Sequence, residues 1–344
     1  MTTKTIYLSA PYGVISGRLS RRVICINGLL FIAGMLLVVL AICLGTLQLS
    51  PFDVWRALTG EASQGIVTVV TQWRAPRVVM ALLLGAGLGV SGAIFQSIIR
   101  NPLGSPDIIG FSSGAYAGAL VTIILLNGGY YEIASGALIG GILTAVAVYL
   151  LAWREGIVGF RLIIVGIAIS AILAAFNTWL IITGSLESVM TAALWGTGSL
   201  NGVTWAKGQP AVMIIPVTIA MALLMGKRLQ LLEMGDDSAR ALGVSAEASR
   251  LWLMLLGVIL TAVVTAATGP IAFIALAAPQ IARRLMQASS VPLFSSAMIG
   301  AILLLLADMT AQHAFTGIQL PVGAVTISIG GIYLIWLLVR ESRR

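Results

Sequence analysis

Charge is scarce in this chain. Asp, Glu, Lys and Arg together make up 9% of its 344 residues, while 59% are apolar. A soluble domain of this length could not hide that much apolar surface from water. Histidine is scarcer still: His313 stands alone, and a lone imidazole with no Cys or acid cluster around it cannot build a zinc site. The two cysteines, Cys25 and Cys43, both fall in the first apolar run, where neither a disulfide nor a metal site is expected. A P-loop is missing. The one Gly-Lys pair, Gly226-Lys227, is followed by Arg228 where G-x-x-x-x-G-K-[ST] needs a hydroxyl, so ATP is not bound by that route. Acids inside the apolar runs are nearly absent, and Asp308 is the one well within such a run. Pumps and ion-coupled carriers usually keep several ionisable groups at membrane depth. A single carboxylate without a buried basic partner makes a poor relay, so Asp308 reads better as a brace between helices. A secondary transporter that uses Asp308 for ion coupling is the rival reading.

What the chain has is apolar length. Its mean hydropathy is +1.03, and continuous runs of about 17–25 residues recur, the length that crosses a bilayer as a helix. Ten spans are expected, at 23–46, 77–99, 108–126, 131–152, 161–183, 210–226, 251–268, 270–288, 293–311 and 321–340. The weakest is 270–288, because only Gly269 and Pro270 part it from its predecessor. With the N-terminus inside, the outside segments hold only Arg56, Arg74, Arg77 and Lys207 of the 20 basic residues. The positive-inside rule therefore places both termini in the cytoplasm. The net charge of +8 is a topology signal and not a nucleic-acid surface. "LAIC" (Leu40–Cys43) faintly resembles a lipoprotein cleavage box, but Ile42 is large for the residue before the cysteine, and the first span is expected to be retained.

The expected fold is all-α. It comprises a cytoplasmic N-terminal segment, 1–22, and a transmembrane domain of ten helices, 23–344, with a cytoplasmic loop at 227–250. A weak internal repeat is suggested by two stretches: Gly92 precedes Pro102 by ten residues in "SGAIFQSIIRNP", and Gly269 precedes Pro279 by ten in "TGPIAFIALAAP". Small residues at Gly85, Gly89 and Gly92, and at four-residue spacing at Gly114/Gly118 and Gly136/Gly140, predict close helix packing. "GFSSG" (Gly110–Gly114) matches G-x-S-x-G. That motif needs a strand–turn–helix elbow with His and acid partners, and here it opens an apolar span. An intramembrane enzyme at Ser112 or Ser113 is therefore a distant third reading.

The polar stretch "LLEMGDDSARALGVSAEASR" (Leu231–Arg250) stands out against this background. Asp236 or Asp237 can cap a short helix, Gly243 can end it in the left-handed conformation, and Leu242 and Val244 would show an apolar spot. A docking helix for a partner in water fits this combination; a solvated loop with no partner is the alternative.

At this point the sequence resembles a known family, the ten-helix permeases of bacterial ABC importers for ferric siderophores and vitamin B12. The resemblance is carried by Trp73–Ala115 ("WRAPRVVMALLLGAGLGVSGAIFQSIIRNPLGSPDIIGFSSGA"), "LEMGDDSARALGVS", "GPIAFIALAAPQIARR", "LLLADMTAQ" and "LPVGAVTISIGGIYLIWLL". It extends over nearly the whole chain from about Arg21. Within the family, "NPLGSPDIIGF", "AFNTWL" and "LLEMGDD" point to the branch that handles catecholate, enterobactin-like siderophores. The resemblance implies a subunit of the bacterial inner membrane that catalyses no reaction and binds no cofactor directly. Its partners would be a second permease subunit, two cytoplasmic ATPase subunits and a periplasmic siderophore-binding protein. It implies ATPase coupling at Glu233, Asp236, Asp237, Arg240, Leu242 and Gly243. Docking arginines for the binding protein fall on Arg74 and Arg77. Vitamin B12 permeases carry a third after the Ala-Asp motif, at the place of Gln312, and this departure suggests that the second permease is not identical. The fifth span is similar to the family's pore-lining helix, with Ser170, Asn177 and Thr178 as polar members facing the passage or bonding neighbouring helices. Val158, Gly159, Phe160 and Arg161 match the position of the family's gate, though the residues differ.

Overall fold

In hydrocarbon a backbone has only itself to hydrogen-bond with, so long apolar runs become helices. A computed structural model of the chain describes residues 5–9, 16–153, 159–315 and 317–341. A short antiparallel hairpin, β1 (Thr5–Ser9) with β2 (Ser16–Ser20), comes first. From Arg21 onward the regular elements are all helices. They are α1 (Arg21–Cys43), α2 (Pro51–Leu58), α3 (Gln64–Thr68), α4 (Ala75–Ile99), α5 (Phe111–Leu120), α6 (Tyr130–Ala152), α7 (Gly159–Thr183) and α8 (Leu186–Gly196). Then come α9 (Trp205–Leu224), α10 (Gly226–Glu233), α11 (Asp236–Ala241), α12 (Ala246–Thr268), α13 (Ile274–Met286), α14 (Leu293–His313) and α15 (Val322–Glu341).

Seven helical stretches among the described residues are long and apolar enough to cross a membrane, and Phe111–Leu125 and Val322–Tyr333 are shorter apolar ones. The expected span 270–288 is helical only in part: it contains α13, of 13 residues, about 20 Å of helix against a hydrocarbon core of about 30 Å. Gly269 and Phe273 both have φ 77°, and the link between them is not helical, so the helix starts late.

The expected span 77–99 begins earlier than its apolar run. α3 continues through a π-turn, Val69–Arg74, into α4, making one helix of 36 residues. The cause is Pro76, which lacks an N–H and crowds the turn before it. Widening that turn sends the Ala75 N–H to the Val70 carbonyl and keeps the helix running. The Thr71 carbonyl then has neither Ala75 nor Pro76 as donor, and Trp205 Nε1 donates to it at 2.9 Å.

α4 is the centre of the molecule. Most of its apolar stretch is buried, while α1 has no buried residue and lies at the edge. α14, α13, α12 and α9 surround α4. The contact with α14 is backbone on backbone: a methyl added at Gly85 would meet the Gly300 carbonyl, and one at Gly89 the Ser296 carbonyl. Gly114 and Gly118 of α5 likewise meet Gly140 and Gly136 of α6. The small-residue spacing was thus a packing signal: helices in lipid associate without a hydrophobic drive and rely on close backbone approach.

The internal echo needs correcting in register. α5 packs along α6 as α13 packs along α14, and α14 lies on α4 as α6 lies on α12. The order of helices repeats, but the quoted residues do not correspond. Gly92 is inside α4 and Pro102 lies beyond it, whereas Gly269 caps α12 and Pro279 is inside α13. The two segments are instead in contact, with Gly92 against the Ala275 backbone.

Candidate functional site

The polar stretch folds into two short helices, α10 and α11, joined at Gly235. Expectation and structure part over the cap: Gly235, with φ 117°, occupies the N-cap position and no side chain caps the helix. Asp236 is the first helical residue, and its carboxylate does other work. It accepts from Arg100 Nη2 at 2.6 Å and from Arg250 Nη2 at 2.8 Å to each oxygen. Burial alone would raise the Asp236 carboxyl. The Arg250 and Arg100 guanidiniums outweigh that and hold it below its ordinary value. The pairs therefore persist at neutral pH and fade only as acid titrates the carboxylate through this lowered value. Glu233 is likewise turned inward, accepting from Ser97 Oγ at 2.5 Å and from the Val291 N–H at 3.4 Å.

The outward side of the segment is different. Met234, Asp237, Arg240 and Leu242 are exposed, and Asp237 and Arg240 lie 3.7 Å apart, a surface pair of little stabilising value. Gly243 has φ 77°, as expected, and its N–H returns to the Arg240 carbonyl at 2.9 Å. Val244, expected on the apolar spot, packs against the core instead, while Met234, like Leu242, is exposed. Beside the segment lies a cavity of about 530 Å³ whose lining includes Arg100, Gly159, Phe160, Asp236 and Arg250. The gate expectation thus falls next to the segment. Gly159 abuts the Ile99 backbone, Phe160 is exposed and Arg161 is half-buried. Val158 lies outside the described residues.

At the other end of α4, Arg74, Arg77 and Gln312 are brought together around a second cavity of about 390 Å³. Asp308 is not the unpartnered carboxylate expected. Arg77 donates from Nε to Oδ2 at 2.9 Å and from Nη2 to Oδ1 at 2.8 Å. Gln312 Nε2 adds a third bond to Oδ2 at 2.8 Å. Asp308 is 1% exposed and Arg77 15%. A forked pair of this kind is a brace, and it offsets the Arg77 charge. Arg74 is committed too: its guanidinium donates to the carbonyls of Ile42 at 2.6 Å and Leu47 at 2.5 Å. The Ile42 carbonyl is one that the end of α1 leaves without a helical donor.

On α7, Ser170 is pressed against Gly110 at the start of α5, and Asn177 is buried. Neither Ser170 Oγ nor Asn177 Oδ1 has a hydrogen-bond partner among the described residues. Thr178 is exposed and donates to its own helix at Ala174, 2.9 Å away. Of the three, Thr178 alone lies on the open face of α7, which it shares with Ile172, Trp179 and Ile182. Ser112 Oγ donates to Asp107 Oδ1, and His313 Nδ1 lies 2.8 Å from the Met309 carbonyl in its own helix. The two do not form a nucleophile and base.

Sequence reasoning missed Arg100 and Ser97 as partners of the polar segment, and Arg77 as the partner of Asp308. A signal existed for the second: an acid at the core of a membrane bundle demands a cation at the same depth.

The FecCD transport family profile matches residues 31–340. The ferric enterobactin transport system permease protein of Escherichia coli (strain K12) is 56% identical over 300 residues, 87% of this chain and 91% of that protein. The achromobactin transport system permease protein of Dickeya dadantii (strain 3937) is 35% identical over 314 residues, 89% of this chain and 90% of that one. Among solved structures, an inward-facing metal-chelate type ABC transporter is similar with a TM-score of 0.79 and 27% identity. The match covers 92% of this chain and 99% of the other.

Proposed function

The chain belongs to the FecCD transport family, and from that premise we propose how it works as an inner-membrane permease subunit of an ABC importer for ferric siderophore. It is a transport component, and ATP hydrolysis belongs to a separate ATPase subunit. The cargo is a catecholate siderophore of the enterobactin class, supported by the 56% identity to the enterobactin permease. The bundle spans the membrane ten times, the span through α13 being helical only in part, with both termini in the cytoplasm. An ATPase seats on the face of α10–α11 that carries Met234, Asp237, Arg240 and Leu242, while Glu233 and Asp236 hold that face to the bundle. The single observation behind this is the division of the segment into an exposed mixed face and an anchored inner face.

Movement of the segment, driven by ATP binding and hydrolysis in the partner, opens and closes the passage alongside α7, with Gly159–Arg161 at its cytoplasmic mouth. Thr178 faces the passage, and Ser170 and Asn177 reach it as α7 turns. The periplasmic binding protein docks over the Arg74, Arg77 and Gln312 rim. Its acidic groups meet Arg74 first, because Asp308 already offsets Arg77. Reconstitution in proteoliposomes tests the whole reading. Uptake is expected to need the ATPase and ATP, and uptake driven by an ion gradient alone would favour a secondary transporter.

Gly243→Val is expected to insert normally yet abolish uptake and weaken ATPase co-purification. No atom stands within 4 Å of the new Cβ, so the effect comes from φ 77°, a left-handed conformation that costs an L-residue roughly 1–2 kcal/mol and more when β-branched. Wild-type uptake in that variant would remove the coupling assignment.

The second permease is a different chain, one copy of each above two ATPases. Gln312 is neutral where a relative for vitamin B12 carries a cation, so two unlike halves give a two-lobed binding protein one preferred orientation. This chain with the ATPase and binding protein alone is expected to show no siderophore uptake. Uptake by that mixture would make the pore a homodimer.

A further inference from the structure

The inward face of the coupling segment contains two kinds of contact. Leu229, Leu232 and Ala239 are buried apolar groups. Such contacts resist compression but have no direction, and they slide under a sideways load. Asp236 is different. Its carboxylate stands where three chain segments meet: the start of α11, the end of α4 through Arg100, and the first turns of α12 through Arg250. Arg100 itself has left-handed backbone, φ 54°, and its Nε donates to the Leu232 carbonyl at 3.2 Å, so it grips α10 as well. Arg250 is 5% exposed and cannot follow solvent. Short charge-assisted bonds fix both distance and direction. The cavity of about 530 Å³ on the same side gives the segment room to move towards Gly159 and Phe160 without first displacing packed atoms.

We propose that the Asp236 carboxylate is the joint that carries displacement of α10–α11 into α4 and α12, by holding Arg100 and Arg250 to the moving segment. The proposal rests on the reading of α10–α11 as the ATPase-coupling segment and assigns a transmitting role within this chain. Asp236 touches no cargo and is a positioning residue.

The test uses the reconstituted transporter with its ATPase, partner permease and binding protein. It reads ATPase co-purification and ATP hydrolysed per siderophore delivered. Asp236→Asn is expected to keep the ATPase bound while ATP used per siderophore rises about tenfold or more, the scale of one lost charge-assisted bond. Asp236→Glu is expected to recover part of the coupling. Asp236→Asn also strands the Arg250 cation, so D236N/R250Q, which removes both charges, is the folding control. It should insert, bind the ATPase and remain uncoupled. Wild-type coupling in D236N/R250Q would overturn the proposal. So would loss of ATPase binding in D236N and D236N/R250Q alike, because the carboxylate would then serve docking. Leu242→Glu on the outer face separates the two readings: if it leaves ATPase binding and uptake intact, the coupling-segment reading itself fails.

Discussion

Arg77→Glu is expected to destabilise the folded permease by about 3–5 kcal/mol, the range for breaking a buried ion pair, and so to lower the amount of protein before any docking is measured. The new carboxylate would face Asp308, which is 1% exposed and already accepts from Gln312. Two carboxylates brought together in that buried place repel each other and leave Asp308 without its cation. Thermal unfolding of the purified protein in detergent reads the loss. Arg77→Met combined with Asp308→Leu is expected to recover most of it, since an apolar pair of similar volume often equals a buried ion pair. Arg74→Glu should differ in kind, because its guanidinium is half-exposed and serves backbone carbonyls. It should fold in good yield and lose stimulation by the loaded binding protein. An Arg77→Glu variant that melts with the wild type would show that the forked pair contributes nothing.

The second large effect is expected at Gly92. A methyl there would run into the Ala275 carbonyl, and the obstacle is backbone, which cannot rotate away. Overpacking usually costs about 1–3 kcal/mol, and Gly92→Ala should reach the upper end of that range. Gly28→Ala is the contrast. Nothing lies within 4 Å of its new Cβ, and alanine in a helix interior is favoured over glycine by roughly 0.5–1 kcal/mol. Opposite shifts in melting temperature are therefore expected from the same substitution at two helical glycines. Equal shifts would mean that α4 and α13 separate more easily than their contact implies.

These cases show what a single sequence reveals and what it hides. Hydrophobic run length located the long helices to within a few residues because lipid imposes one local rule on every backbone group. Gly243 was legible for the same reason: its φ is set by its own helix end. The start of α4 was not, because the π-turn that Pro76 imposes leaves the Thr71 carbonyl to a donor, Trp205, that arrives from far along the chain. The pairing of Arg77 with Asp308 joins residues 231 apart, and that of Arg100 with Asp236 joins residues 136 apart. Charge content foretold that such acids needed partners but not which partners. The polar segment looked like a soluble surface because four acids and two arginines stand together in it. The other part of its logic lay in Asp236 turning inward to pair with Arg250, which is almost wholly buried.

The glycine seam between α4 and α14 bears on kinematics. Two helices whose backbones touch at Gly85 and Gly300, and again at Gly89 and Ser296, have no layer of side chains between them to shear. The Arg77–Asp308 fork locks their register at one end. Together they have the six rigid-body degrees of freedom of one object rather than the twelve of two. Any alternation of the passage must be taken up by elements that keep their own freedom, and α1 and α7 are the least covered of the seven long apolar helices among the described residues. Spectroscopic labels on α4 and α14 should therefore keep a fixed separation through the ATP cycle, while a label on α7 changes its distance to both.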